Sequence, residues 1–143
     1  MNKVTKEQLR DMILNGEDIS KVDYSHIIDM SWMFSWCTNL KEIPHLDTSK
    51  ITSMSWMFDG CTNLKEIPHL DTSKVINMSF MFYGCTNLKE IPHLDTSKVI
   101  DMSWMFEGCT NLEYLECPED FNSKYFSKEQ NPLIYKNYLE MFL

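Results

Sequence analysis

One block of text recurs four times in this chain, and a chain that repeats itself at fixed spacing has few ways to fold. Residues 23–46 read DYSHIIDMSWMFSWCTNLKEIPHL and residues 47–70 read DTSKITSMSWMFDGCTNLKEIPHL. Residues 71–94 read DTSKVINMSFMFYGCTNLKEIPHL, and residues 95–118 read DTSKVIDMSWMFEGCTNLEYLECP, drifting only at the end. The period is 24 residues. Self-similarity at such a spacing marks a solenoid, in which each unit buries its apolar face only against its neighbours.

Within the second unit, Ile51, Met54, Met57, Phe58 and Cys61 recur at steps that fall on one side of a helical turn. Asp47, Thr48 and Ser49 stand just before them, all good N-cap residues, and Gly60 suits a helix exit. Leu64, Ile67 and Leu70 then punctuate a segment whose Pro68 forbids a helix interior. Each unit therefore reads as a short helical piece followed by an extended piece. Extended pieces pair about 4.8 Å apart, whereas helices approach no closer than roughly 8–10 Å. That mismatch curves the stack and puts the helices on its convex side.

The phrase DTSKVxxMSxMFxGCTNLKxIPxL, spanning residues 23–118, resembles the BspA-type leucine-rich repeats. The resemblance implies an adhesion or protein-interaction module. The expected fold is an α/β solenoid, a leucine-rich-repeat-like right-handed coil with four 24-residue repeats and helical caps. Residues 1–22 form the N-terminal cap, where Thr5 and Gln8 resemble a capping box ahead of Leu9, Met12 and Ile13, and Gly16 ends the helix. Residues 119–143 form the C-terminal cap, with Pro132 opening a terminal helix. Its Leu133, Tyr135, Leu139 and Phe142 either close the last coil or dock on a partner or a second copy, the latter making a homo-oligomer through that helix.

At 143 residues the chain is one domain by size, and at 43% hydrophobic it is too apolar for intrinsic disorder. A formal net charge of -8 argues against direct binding of nucleic acid, whose affinity comes from cationic side chains replacing counterions. A protein partner with a basic or nucleic-acid-binding surface is the better electrostatic complement. No apolar stretch is long enough to span a membrane, and the N-terminus lacks a signal-like apolar core, so the expected location is cytoplasmic. Cys37, Cys61, Cys85 and Cys109 hold one position of successive repeats, and Cys117 stands apart. Neither a disulfide framework nor close zinc-binding pairs are present, so the column reads as small buried apolar residues.

Stacking turns each repeat position into a ladder. Trp32, Trp56, Phe80 and Trp104 form an aromatic column expected to point outward, either as a partner surface or as glue between adjacent coils. His45, His69 and His93 repeat with the coil and lack the converging set that a metal needs, so no metal or other cofactor is expected. Asp47, Asp71 and Asp95 read as caps, Lys41/Glu42, Lys65/Glu66 and Lys89/Glu90 as a solvated charge ladder, and Asn39, Asn63, Asn87 and Asn111 as turn hydrogen-bonders. Ser35, Asp59, Tyr83 and Glu107 differ between otherwise fixed neighbours, beside Trp36, Gly60, Gly84 and Gly108, and are expected to face outward. Thr52/Ser53, Ile76/Asn77 and Ile100/Asp101 differ in the same way.

The candidate partner-binding residues are thus Trp32, Trp36, Trp56, Phe80, Tyr83, Trp104, Asp59 and Glu107. No glycine-rich phosphate loop, H-E-x-x-H or G-x-S-x-G motif occurs, so no catalytic residue is expected. The leading expectation is a non-enzymatic protein–protein interaction scaffold. Two alternatives stand beside it: an acidic inhibitor of a host nuclease or defence complex, encoded by a phage or mobile element, and a surface adhesin.

Overall fold

A computed structural model describes residues 1–112 and 114–115. The expected C-terminal cap over residues 119–143, its terminal helix and Cys117 lie outside the described residues.

The chain opens with a short strand, β1 (Asn2–Lys3), followed by helix α1 (Lys6–Leu14). Thr5 starts the helix because its Oγ1 accepts from the Gln8 N–H at 3.1 Å, while the Gln8 Oε1 accepts from the Thr5 N–H at 2.9 Å. Two donors that the first helical turn leaves open are thereby satisfied. Leu9 and Ile13, four residues apart, put one face of α1 into the core. Strand β2 (Val22–Asp23) returns to pair in parallel with β1, Asn2 opposite Val22 and Lys3 opposite Asp23.

The repeats follow in register, each column of side chains lying against its counterpart in the next copy. The segment expected to be a short helix is instead a run of overlapping β-turns. In the first repeat Met33 N–H donates to the Met30 carbonyl (3.3 Å), Ser35 to Trp32 (3.1 Å) and Cys37 to Phe34 (3.0 Å). These bonds span three residues, not four. The reason is two left-handed residues per copy. Trp32, Trp56, Phe80 and Trp104 have φ between 57° and 65°, and Trp36, Gly60, Gly84 and Gly108 have φ between 60° and 78°. A positive φ at the third residue is what a type II turn requires, and it breaks an α-helix. The apolar spacing suits both arrangements, which is why the pattern alone favours a helix.

Breaking the helix frees alternate backbone N–H groups to bond the neighbouring copy. Met30 donates to the Ser53 carbonyl (3.0 Å), Trp32 to Ser55 (3.0 Å), Phe34 to Met57 (2.9 Å) and Trp36 to Asp59 (2.7 Å). The second and third copies repeat the pattern, as Trp56 to Ser79 (3.0 Å) and Phe80 to Ser103 (2.9 Å) illustrate. Parallel bridges join Asp29 to Ser53, Ser53 to Asn77 and Asn77 to Asp101. Lateral pairing therefore falls chiefly on the turn segment. In the Pro-containing segment, strand pairing among the described residues is confined to β3 (Glu90–Ile91) against β4 (Tyr114–Leu115), in parallel.

The core is a set of columns. Phe34, Phe58, Phe82 and Phe106 stack at ring separations of 5.7, 5.5 and 5.8 Å and are buried, as are Met30, Met54, Met78 and Met102. Leu40, Leu64, Leu88 and Leu112 close the column from the other segment. Each buried Phe, Met or Leu contributes about 1.5–3 kcal/mol relative to exposure. The cysteine column does more than fill space: the thiols of Cys61, Cys85 and Cys109 donate to the Phe34, Phe58 and Phe82 carbonyls at 3.0 Å each. Burial pushes the Cys61 and Cys109 thiols up to about 12 and raises Cys85 as well, so these three thiols stay protonated and unreactive.

Candidate functional site

The left-handed backbone at Trp32, Trp56, Phe80 and Trp104 decides what those rings do. It places each ring beside the same ring of the next copy. Trp32 and Trp56 stack at 4.6 Å with 6° between planes, and Trp56 and Phe80 at 3.9 Å with 3°. Phe80 and Trp104 lie further apart, at 6.5 Å and 19°. Tyr83 leans against this ladder, 6.1 Å from Trp56 and 5.7 Å from Phe80, tilted 49° to both.

The two readings of this column thus coexist. Its rings touch between coils, yet Trp32 is 52% and Trp104 41% exposed. The faces of Trp56 and Phe80 are covered by their neighbours, so solvent meets ring edges along the ladder and ring faces only towards its ends. A bulky residue in the left-handed region costs roughly 1–2 kcal/mol, and an aromatic pair returns about 0.5–1.5 kcal/mol. At the end rungs Trp32 and Trp104, each with one ring neighbour in the ladder, strain and stacking nearly cancel, so stability gives little reason there to prefer a ring over glycine.

The remaining candidates separate. Trp36 is 69% exposed but belongs to the other left-handed column, where it stands over Gly60; a Cβ at Gly60 would come within 2.8 Å of the Trp36 Cε3. Tyr83 is exposed and Glu107 half-buried. Asp59 departs from the outward expectation, for it is 2% exposed. The Ser35 hydroxyl donates to its Oδ2 at 3.2 Å, and burial raises its carboxyl above the usual range. Asp59 is therefore not available to a partner. An exposed apolar column runs through Ile28, Ile76 and Ile100, of which the sequence singles out Ile76 and Ile100 as variable beside Thr52 and leaves Ile28 unmarked.

The polar columns are architectural. The Oδ1 of Asp47, Asp71 and Asp95 accepts from the N–H and hydroxyl of Ser49, Ser73 and Ser97, and those bonds hold the three carboxyls below the ordinary aspartate value. They close Asx turns rather than cap a helix. Asn63, Asn87 and Asn111 donate to the Thr38, Thr62 and Thr86 carbonyls of the preceding copy. His45, His69 and His93 are exposed, and no group of three or more His, Cys, Asp or Glu gathers among the described residues.

A family model described as a Mycoplasma protein of unknown function, DUF285, matches residues 3–117. No curated protein and no solved structure matches the chain. Among the described residues, no helix is long and apolar enough to cross a membrane.

Proposed function

The chain belongs to the DUF285 family, and on that premise we propose that it is a non-enzymatic scaffold that binds a protein partner along its aromatic ladder. One observation carries the reading: four large aromatic residues are held on the surface in a backbone conformation that disfavours them. Strain of this kind is retained where a side chain serves more than the fold. Because stacking covers the central ring faces, sugars and nucleobases, which bind by stacking on faces, suit the ladder poorly. Ring edges beside Tyr83 suit the apolar and carbonyl groups of a protein, and the net charge of -8 favours a basic one. The register of 24 residues and the columnar core support reading the architecture as a BspA-type, leucine-rich-repeat-like right-handed solenoid.

The test exploits the backbone. Glycine at Trp32 and Trp104 removes the exposed rings while fitting the left-handed conformation, so the double variant keeps the fold. Partner capture from the native host is expected to fall at least tenfold against wild type, with the circular dichroism spectrum preserved. Undiminished capture of the same partner by the folded variant overturns the reading.

A further inference from the structure

We propose that the pocket between α1 and the first repeat binds a small organic monocarboxylate with an apolar body. The pocket measures about 510 Å³ and is walled by Ile13 and Leu14 of α1 and by Trp36 and Leu40 of the repeat, with Arg10, Asn39 and Lys41 among its polar groups. That volume lies within the roughly 300–1,000 Å³ usual for small-molecule sites. None of the four ladder rings lines it, so the site is independent of the proposed partner surface.

Three features set this place apart from its equivalents in the later copies. The first is Arg10. Its Nε is buried without a hydrogen-bond partner, and its Nη2 has only the Cys37 thiol, a weak contact at 3.9 Å. Among the described residues no carboxylate pairs with it. The Nε is closed to solvent, so the Nη1–Nη2 edge beside the apolar wall is the fork that a carboxylate in the pocket meets. The second is Asn39. Its counterparts donate to threonine carbonyls of the preceding copy, but the first repeat has no preceding copy, and the Asn39 amide is exposed without a hydrogen bond among the described residues. The third is Trp36, which keeps φ at 60° where the other copies use glycine and so supplies a flat wall at the expense of strain.

The charge balance selects the ligand. Arg10 and Lys41 are opposed in the pocket lining by Glu42, which leaves one net positive charge. One negative charge is matched there, while a doubly charged phosphate meets the Glu42 carboxylate without compensation. The apolar walls demand a body to cover them.

The test uses the full chain, labelled with nitrogen-15, and two probes: naphthalene-2-acetate and its neutral amide. The four tryptophan indole N–H resonances report on binding, and that of Trp36 is identified by its loss in Trp36→Gly, a change to the residue that the other copies carry. Naphthalene-2-acetate is expected to shift the Trp36 indole saturably, with the amide binding at least tenfold more weakly. Arg10→Gln is expected to weaken the acid tenfold or more, leaving the amide unchanged, and Trp36→Gly to weaken both. Equal binding of acid and amide, an unaltered affinity in Arg10→Gln, or no saturable shift by 10 mM probe overturns the proposal.

Discussion

Each repeat turns left-handed at two places, and the two are filled by opposite kinds of residue. One place holds Trp32, Trp56, Phe80 and Trp104, and the other holds Gly60, Gly84 and Gly108, with Trp36 as the exception. The backbone demand is the same at both. At the glycine column the neighbouring copy is close: a Cβ at Gly108 would lie 3.2 Å from the Gly84 Cα. At Gly108 glycine therefore relieves strain and crowding together, at Gly60 it makes room for the Trp36 ring, and at Gly84, where an added methyl would make only ordinary contact, it relieves strain alone. At the aromatic column the side chains project into a ladder that accepts them. The same conformation is therefore tolerated with a ring only where a neighbour's ring covers it, and Trp36 breaks the pattern at the edge where no earlier copy crowds it.

The largest effect comes from removing a central rung. Phe80→Ala loses the ring stacked at 3.9 Å on Trp56 and keeps the left-handed strain, so unfolding in denaturant should show a loss of about 2–3 kcal/mol. A loss below about 0.5 kcal/mol would mean that the ladder contributes nothing. Next come the glycines. Gly108→Ala should cost about 2 kcal/mol, and Gly84→Ala, whose added methyl finds the Gly60 Cα at an ordinary 3.8 Å, about 1 kcal/mol. Reversal of that order would break the crowding argument.

The smallest effect is in pH. Asp47, Asp71 and Asp95 have carboxyls held below their unfolded value of about 3.9, so their contribution is complete above that pH and is lost as pH falls through the lower folded values. Asp59 has the opposite sign: its raised carboxyl favours the fold at low pH, and the contribution fades as pH rises through the folded value. Asp59→Asn should therefore raise the melting temperature at pH 7 relative to wild type, and Asp71→Asn should soften the decline in acid. An Asp59→Asn variant that melts lower at pH 7 would contradict the burial assigned to that carboxyl.

Much of this was legible in the sequence. The period gave the register, and the Met, Phe, Cys and Leu positions that never change between copies are the buried columns. The turn run was not legible, because three- and four-residue apolar spacing serves a helix and a chain of turns alike, and because tryptophan is the wrong residue for a left-handed site. Burial of Asp59 was hidden by its column, since Tyr83 and Glu107 at the same position face solvent to different degrees. Arg10 precedes the repeats and so had no counterpart against which its missing partner would stand out.

The most direct test of the central claim compares Trp56→Gly with Trp56→Ala. Both lose the same ring, and only the backbone preference differs. At an ordinary position in a regular element glycine is worse than alanine by roughly 0.5–1 kcal/mol. At a left-handed position the order inverts by about 1 kcal/mol, a difference of about 3–5 °C in a chain of this size. Trp56→Gly melting above Trp56→Ala is the predicted result. Trp56→Ala melting at or above Trp56→Gly would contradict the claim that the ladder is held against the preference of its own backbone.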